Sequence, residues 1–248
     1  PCYWKNGTLI DLAVPGSGIA YAMAVSGGDI YVAGYCYSSG YMRPCYWKNG
    51  TRIDLTLTGT GIEGVAYAMA VSGGDIYVAG VYRNSSGYTM RPCYWKNGTQ
   101  TDLAVPGGVV SYANAMAVSG GDVYIAGFYQ DNPPTTLIPC YWKNGTLIDL
   151  AVPGSSVAEA ITVSGGDVYV TGYCFVDPND QRPCYWKNGA RTLLEPSGSG
   201  NASAITVSGG DVYIAGNYKG GACYWKNGTR TDLTTPTQSY ATSIAVVE

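Results

Sequence analysis

The sequence contains no histidine and few charged residues. Asp, Glu, Lys and Arg together make up 12% of its 248 residues, about half of the usual fraction. Without histidine, a His-based catalytic triad, a histidine general base and a histidine metal ligand are all excluded. The formal net charge of −3 argues against nucleic-acid binding, which needs a basic surface. No apolar run approaches the roughly 18 residues that a membrane-spanning helix requires.

Glycine and tyrosine are abundant instead, with 35 and 23 residues. The polar surface must therefore consist largely of Ser, Thr, Asn and Gly, which is more common in secreted proteins than in cytosolic ones. The sequence starts at Pro1 with neither a methionine nor a signal-like segment, so we expect a processed chain or a piece of a longer one.

Two phrases repeat along the chain and alternate with each other. One is Cys-Tyr-Trp-Lys-Asn-Gly, and the other is typified by AVSGGDIYVAG at 24–34. The second phrase occurs five times and the first six times. The cysteine of the first phrase recurs every 39 to 48 residues, at Cys2, Cys45, Cys93, Cys140, Cys184 and Cys223.

Each repeat is predicted to form four short strands, named A to D. Strand A consists of small apolar residues, and Ser-Gly-Gly-Asp makes a tight turn to strand B. The side chains of strand B show an alternating pattern. Asn-Gly makes the turn that joins strand C to strand D. Units of four strands that repeat every 40 to 50 residues are typical of a β-propeller. The sequence therefore predicts an all-β, six-bladed propeller with four-stranded antiparallel blades, as a single domain over residues 1–248.

The first blade is predicted to combine both chain ends and to lack its strand B. Residues 1–11 supply strands C and D, and residues 240–248 resemble a strand A. Three alternatives are open: residues before Pro1 supply the missing strand, a strand from another copy or another protein fills the slot, or the seam is open. The edges that would accept a strand are Cys2, Tyr3, Trp4, Ser243, Ile244, Ala245 and Val246.

Two cysteines lie outside the repeated position, namely Cys36 and Cys174. If blade six turns at Gly220-Gly221, the same register places Cys36 directly opposite Cys45, and Cys174 directly opposite Cys184. Cross-strand disulfides Cys36–Cys45 and Cys174–Cys184 are therefore one hypothesis, and four free buried thiols are the alternative. Disulfides would imply an oxidising compartment. A metal site is not expected, because the chain has no Cys-x-x-Cys pair.

The B–C and D–A loops vary from blade to blade, whereas the A–B and C–D turns are nearly constant. Recognition residues are commonly carried on variable loops of a rigid scaffold. The candidate contacts for a ligand or partner are Tyr37, Tyr41, Arg43, Arg83, Tyr88, Arg91, Gln130, Asp131, Asp177, Asn179 and Arg182. Solvated loops without a binding role are the alternative.

The acidic residues repeat with the fold, so turn and edge roles explain them. The sequence shows no unique pair of carboxylates, nucleophile or phosphate loop, and it predicts a protein that is not an enzyme and has no cofactor. We expect a structural or interaction module, and one form of it is a filament subunit joined by strand addition. The alternative is a carbohydrate-binding or adhesive module that uses the variable loops.

The phrases YWKNGT, SGGDIYVAGY and YAMAV resemble the repeats of secreted or cell-surface β-propellers of bacteria. The resemblance covers the whole chain. It implies the propeller fold and an extracellular or surface location, and it implies no activity.

Overall fold

The structure is a computed structural model of the whole chain. The described part is residues 1–248 without Pro15, Ser86, Tyr88, 107–109, 132–135, Ala151, Pro153, 234–237 and Glu248. This part forms 22 β-strands and contains no helix. The prediction of an all-β protein is therefore confirmed.

The strands follow the repeat, and each four-stranded sheet is one blade. Blade 1 has β1 (Cys2–Lys5) and β2 (Thr8–Asp11), and blade 2 has β3 (Gly18–Ser26), β4 (Asp29–Ser38), β5 (Tyr41–Lys48) and β6 (Thr51–Asp54). Blade 3 has β7 (Gly61–Ser72), β8 (Asp75–Asn84), β9 (Arg91–Lys96) and β10 (Thr99–Asp102). Blade 4 has β11 (Ser111–Ser119), β12 (Asp122–Gln130), β13 (Leu137–Lys143) and β14 (Thr146–Asp149). Blade 5 has β15 (Ser156–Ser164), β16 (Asp167–Asp177), β17 (Asp180–Lys187) and β18 (Ala190–Leu193). Blade 6 has β19 (Gly200–Ser208), β20 (Asp211–Tyr218), β21 (Gly221–Lys226) and β22 (Thr229–Asp232).

Blades 2 to 6 are four-stranded, with neighbouring strands in sequence order. This is the antiparallel arrangement of a propeller blade, so the predicted fold class is confirmed. The Ser-Gly-Gly-Asp and Asn-Gly turns form where the sequence predicts them. In the Ser-Gly-Gly-Asp turn of blade 2, Gly27 and Gly28 have φ values of 59° and 85°. Two successive positive φ values match the right-handed twist of a hairpin and favour glycine.

The chain divides into two compact units. Unit 1 comprises residues 1–123 and 144–146, and unit 2 comprises residues 124–143 and 147–248. In unit 1, strand β7 contacts both β3 and β11, and in unit 2 strand β15 contacts β19. Strands A of successive blades therefore lie side by side within each unit. The prediction of a single domain stays a prediction.

The core lies between the faces of successive blades. In unit 1, Tyr46 of blade 2 belongs to the same buried cluster as Cys93 and Trp95 of blade 3. In unit 2, Tyr185 of blade 5 packs against the cluster that holds Cys223 and Trp225 of blade 6. The alternation of Cys-Tyr-Trp in strand C explains this, because successive side chains point to opposite faces of a sheet.

A polar clamp joins the A–B turn to the C–D turn in blades 2, 3, 5 and 6. In blade 2, Asp29 accepts hydrogen bonds from Asn49 Nδ2 (2.8 Å) and pairs with Lys48 Nζ (2.8 Å). Asn49 Oδ1 in turn accepts the backbone N–H of Ile30 (2.9 Å), and the Lys48 ammonium lies 5.3 Å from the ring centroid of Tyr31. The same clamp recurs at Asp75–Lys96–Asn97, Asp167–Lys187–Asn188 and Asp211–Lys226–Asn227. The repeated aspartates therefore hold the fold together.

These clamps should make the fold sensitive to acid. The hydrogen bond from Lys96, followed by that from Asn97, lowers the pKa of Asp75 below its ordinary value of 3.8. Because the folded pKa is lower than the unfolded one, the stabilisation is present above about pH 4 and is lost as the pH falls through the folded pKa. We expect the urea midpoint of unfolding to decrease as the pH is lowered below about 4. The decrease should be smaller when four clamp aspartates (Asp29, Asp75, Asp167, Asp211) are replaced by asparagine. An equal decrease of the urea midpoint in the wild type and in the fourfold variant would contradict the role of the clamps.

The cysteine pairs differ in register from the prediction. Cys36 lies opposite Arg43, and Cys174 lies opposite Arg182, so the predicted direct pairing with Cys45 and Cys184 is wrong. The cause is the turn: in blade 6 it is Lys219-Gly220, with φ values of 48° and 81°, rather than Gly220-Gly221. The paired strands are therefore shifted by two residues from the predicted register.

The cysteines become diagonal neighbours on one face of the sheet. Cys174 and Cys184 form a disulfide with Cα atoms 6.3 Å apart, within the range of protein disulfides. This predicted disulfide is therefore confirmed, although the register around it differs. Cys36 Sγ and Cys45 Sγ are 3.2 Å apart and unbonded, and both thiols are fully buried.

The C-terminal segment also differs from the prediction. Ser243–Val246 were expected to form a strand A, but residues 238–247 form no strand. The segment instead follows blade 6, where Ser239 N–H donates to Gly220 O (3.0 Å) and Ala241 N–H donates to Gly216 O (3.2 Å). A strand A forms only by pairing with a strand B, and in the described residues Ser243–Val246 have no such partner strand.

Candidate functional site

A β-bulge interrupts strand A at the same place in four blades. The register shifts between Ala20 and Ala22, Ala66 and Ala68, Ala158 and Ala160, and Ala202 and Ala204. The residue between the two alanines is therefore the extra, unpaired one in each pair of strands. Bulges re-aim a side chain and are frequent next to functional sites.

A glycine of strand B makes room for each bulge. Gly80 lies opposite Ala66, and a Cβ at Gly80 would stand 2.0 Å from the carbonyl oxygen of Val65. Gly34, Gly172 and Gly216 are in the same position, with the nearest carbonyl oxygen at 1.9–2.0 Å. The glycine of the second repeated phrase is thus required by the bulge, because no side chain fits there.

The bulge residue varies between blades, although the alanines on either side are constant. Two more positions vary with it: the residue directly after the glycine of strand B and the residue two further on. In blades 2 to 5 both lie on one face of strand B, whereas in blade 6 the second, Lys219, lies in the turn. We call these three positions the variable triplet. The triplets are Tyr21, Tyr35, Tyr37 (blade 2); Tyr67, Val81, Arg83 (blade 3); Asn114, Phe128, Gln130 (blade 4); Glu159, Tyr173, Phe175 (blade 5); and Ser203, Asn217, Lys219 (blade 6).

Five tyrosines of unit 1 form one continuous aromatic group, which we call the tyrosine cluster. Ring centroids are 5.3 Å apart for Tyr35 and Tyr37, 6.2 Å for Tyr21 and Tyr35, 5.1 Å for Tyr21 and Tyr67, and 6.3 Å for Tyr67 and Tyr112. The contacts therefore run without a break from strand β4 through β3 and β7 to β11. Edge and tilted arrangements at these distances are favourable for aromatic pairs.

The cluster combines buried and exposed rings. Tyr35 is buried, whereas Tyr21 and Tyr37 are 47% and 43% exposed. Burial, together with the neighbouring Tyr112, Tyr21 and Tyr35, raises the pKa of Tyr67 to about 12. The Tyr67 phenol therefore stays protonated at neutral pH, and it can donate a hydrogen bond as well as accept one.

Blade 5 carries a different triplet in unit 2. Glu159 occupies the bulge, Tyr173 follows the glycine, and Phe175 contacts Tyr173 edge-on with centroids 5.8 Å apart. Burial raises the pKa of Glu159, because the charged carboxylate loses water there. Burial and then the Glu159 charge raise the pKa of Tyr173, which places the two side chains within electrostatic range.

Three of the residues predicted as contacts belong to variable triplets, namely Tyr37, Arg83 and Gln130. Arg83 Nε pairs with Glu63 Oε1 at 2.8 Å, within the β7–β8 hairpin. Asp131 N–H donates to Thr136 O (2.9 Å) in the following loop.

The other predicted contacts lie nearer the loop ends and mostly have structural partners. The Arg43 guanidinium lies 5.6 Å from the ring centroid of Tyr41, and Arg91 lines a cavity with Tyr82 and Asp102. Arg182 pairs with Asp180 and donates to Pro196 O. Asp177 ends β16, Asn179 lies in the turn that follows, and Tyr88 lies outside the described residues. Ligand contact at these positions stays a prediction.

Sequence reasoning missed most of the tyrosine cluster, because Tyr21, Tyr35, Tyr67 and Tyr112 lie in strands rather than loops. One signal was present in the sequence. Inside the otherwise repeated Ala-x-Ala segment, the middle residue changes from Tyr to Asn, Glu and Ser. When one residue changes between repeats and its neighbours do not, its side chain is not required for the fold.

The edge of blade 1 is exposed where the other blades are covered. Trp4 is 66% exposed, whereas the equivalent Trp47 and Trp95 are fully buried. On the neighbouring blade 2, Met23 is 56% exposed, against 8% for the equivalent Met69 of blade 3. Addition of a strand from another copy at this edge stays a prediction.

The described part of the chain shows no group of three or more His, Cys, Asp or Glu side chains that could hold a metal ion. It also contains no helix that is long and apolar enough to cross a membrane.

The fold resembles those of several solved enzymes. A mutant Trypanosoma rangeli sialidase with trans-sialidase activity has a TM-score of 0.52 at 10% identity over 92% of this chain. A Mycobacterium tuberculosis puromycin-hydrolyzing peptidase has a TM-score of 0.52 at 14% identity over 90% of this chain. A Lactobacillus gasseri sucrose-6-phosphate hydrolase has a TM-score of 0.50 at 11% identity over 90% of this chain. The chain spans 49%, 37% and 60% of these proteins, respectively. The sequence matches no protein-family model and no curated protein.

These likenesses support the propeller fold and correct one prediction. The protein was predicted not to be an enzyme, but all three of these similar structures are enzymes. The prediction is therefore contradicted, because these three proteins that share the fold are enzymes. At 10–14% identity the likeness shows the fold alone, so the activity and substrate of this chain must be inferred from its own residues.

Proposed function

We propose that the protein binds carbohydrate, and that the tyrosine cluster of unit 1 is its binding surface. The observation that carries this proposal is the unbroken series of ring contacts from Tyr37 to Tyr112. Sugars present flat apolar faces bordered by hydroxyl groups. Tyrosine matches this chemistry, because its ring is flat and apolar and its tip is polar.

The geometry of the cluster supports binding of an extended neutral ligand. Tyr21 and Tyr37 expose nearly half of their surface, so rings are available for stacking. Tyr35 and Tyr67 pack against the buried Val65 and Val81, so the exposed rings rest on a fixed base. A ligand would lose little binding energy in ordering these side chains. No Lys, Arg, Asp or Glu belongs to the cluster, which favours a neutral sugar.

The position of the cluster supports the variable loops as the recognition side. Tyr35 and Tyr37 precede the β4–β5 turn at Ser39-Gly40, and Tyr112 follows the start of β11. These are the B–C and D–A ends of the strands. The Cys174–Cys184 disulfide supports the further proposal that the protein works outside the cytoplasm, since disulfides persist in oxidising compartments.

Replacing Tyr21 with serine should weaken sugar binding by about tenfold, which corresponds to about 1.4 kcal/mol. Serine occupies the same bulge in blade 6 as Ser203, so the fold should tolerate the change. An array of neutral oligosaccharides identifies a ligand, and titration calorimetry then compares wild-type protein with Tyr21→Ser.

The matched control is Tyr240→Ser, because Tyr240 is 66% exposed and lies outside the cluster. Its affinity should equal that of the wild type. The proposal is wrong if no neutral oligosaccharide binds, or if the two serine variants lose the same affinity.

A further inference from the structure

Blade 5 presents a charged version of the aromatic surface found in blade 2. The two blades share the frame of alanines, bulge and opposing glycine. In blade 2 the bulge residue Tyr21 lies 6.2 Å, ring to ring, from Tyr35. The equivalent residues of blade 5 are Glu159 and Tyr173. Blade 5 thus places a carboxylate beside an aromatic ring where blade 2 places a second ring.

The Glu159 carboxyl is half-buried and has no partner in the described residues, where it makes no hydrogen bond or ion pair. A half-buried carboxylate without a partner is unfavourable, and burial correspondingly raises its pKa. A cation that enters beside it would remove this penalty.

A cavity at the end of the same hairpin has a carboxylate in its lining. Its lining includes Phe175, which contacts Tyr173, and also Ser155 and Asp177. The nearby cation Arg182 is held by Asp180 and by the carbonyl of Pro196. The cavity lining thus has one aromatic ring, Phe175, and one acidic residue, Asp177. Tyr173 contacts that ring, and Glu159 lies within electrostatic range of Tyr173.

We propose that unit 2 holds a second subsite, which takes a sugar bearing a protonated amino group. The ammonium pairs with the Glu159 carboxylate and lies against the ring of Tyr173, while Phe175 and Asp177 line the side through which the ligand enters. This inference rests on the carbohydrate binding proposed for unit 1.

An amino sugar fits these residues better than a neutral one. A hydroxyl group could accept or donate one hydrogen bond, but it would leave the half-buried negative charge uncompensated. An ammonium supplies the opposite charge, and it is also attracted to the electron-rich face of an aromatic ring within about 6 Å. In unit 1 the same positions carry Tyr21, Tyr35 and Tyr37, which offer no charge and favour neutral sugars.

The test uses three β-1,4-linked hexasaccharides that differ only at carbon 2: a glucosamine oligomer, its N-acetylated form, and the glucose oligomer. NMR titration at about pH 6.5, where an amine of pKa near 8 is protonated, follows the backbone amides of β15 and of β3 separately. We expect the amino oligomer to perturb β15 and to bind there about tenfold more tightly than the other two. We expect this preference to disappear in Glu159→Gln and to decrease in Asp177→Asn.

Glutamine should preserve the fold, because this bulge also carries Tyr and Ser in other blades. Tyr21→Ser is the matched control and should leave binding at β15 unchanged. Equal affinity of the three oligomers at β15, no perturbation of β15 by any of them, or an unchanged preference in Glu159→Gln would each overturn the inference. Perturbation of β3 by a neutral oligomer would still support the function proposed for unit 1, so the two failures are distinguishable.

Discussion

Gly80→Ala is expected to lower the free energy of unfolding by at least about 3 kcal/mol, at the upper end for overpacked sites. The added Cβ would stand 2.0 Å from Val65 O and 3.0 Å from the Cα of Ala66. Both atoms belong to the backbone, so no side-chain rotation can relieve the clash. Strand β7 would have to separate from β8 or lose its bulge, and Tyr67 would move with it. Urea unfolding measures the loss, and oligosaccharide titration measures the effect on the site.

Gly221→Ala is the matched control for this prediction. Gly221 also lies in a strand, its φ is not positive, and its Cβ would meet only Tyr218 O at 3.7 Å. The change should alter the free energy of unfolding by less than about 1 kcal/mol. If the two alanine variants are equally stable, the bulge is not a fixed part of the structure.

Trp95→Ala is expected to lower the free energy of unfolding by about 3–5 kcal/mol. Trp95 is fully buried, and its indole N–H donates to Thr56 O at 2.9 Å. The side chain packs in the cluster that includes Tyr46 of blade 2 and Met69 of blade 3. Its removal would leave a cavity between the two blades and a carbonyl without its partner. The urea midpoint and the slope of the transition would report this loss.

Trp4→Ala is the internal control, because it removes the same side chain from the same repeat position. Trp4 is 66% exposed, so its loss should change the free energy of unfolding by no more than about 0.5 kcal/mol. Comparable losses for Trp4 and Trp95 would mean that the edge of blade 1 is covered in solution. That result would support the prediction that another strand pairs there.

Together these variants separate the residues that build a blade from those that give it a function. The alanines, the opposing glycine, the buried tryptophan and the Asp–Lys–Asn clamp recur because each satisfies a contact within the repeat. The variable triplet changes from three tyrosines in blade 2 to Glu159, Tyr173 and Phe175 in blade 5, while the bulge and the strand pairing stay the same. We expect substitutions in the variable triplet to change ligand affinity, and substitutions in the repeated residues to change the free energy of unfolding.

Most of the fold could be predicted from the sequence. The Asn-Gly and Gly-Gly turns, the alternation of Cys-Tyr-Trp and the period of the repeat indicated the strands and their order, because these depend on local backbone preferences. The B–C register was less predictable. The turn was predicted at Gly220-Gly221, which left Lys219 in a strand, but Lys219 adopts a positive φ in the turn. The register therefore shifted by two residues, whereas the predicted Cys174–Cys184 disulfide formed.

The candidate site was predicted only in part, because loops were treated as the variable elements. Tyr37, Arg83 and Gln130 were identified, whereas Tyr21 and Glu159 were assigned to the body of a strand. A bulge depends on how two strands pair, and the sequence of one strand does not show it.

By itself, the sequence determined the blades, since hairpins and alternating faces arise from residues close together in the chain. It also determined which positions vary within the repeat. Only the tertiary structure decided which varying side chains meet. Tyr21, Tyr67 and Tyr112 come from three blades and touch because their strands A lie side by side, and such contacts depend on the packing of segments more than 40 residues apart.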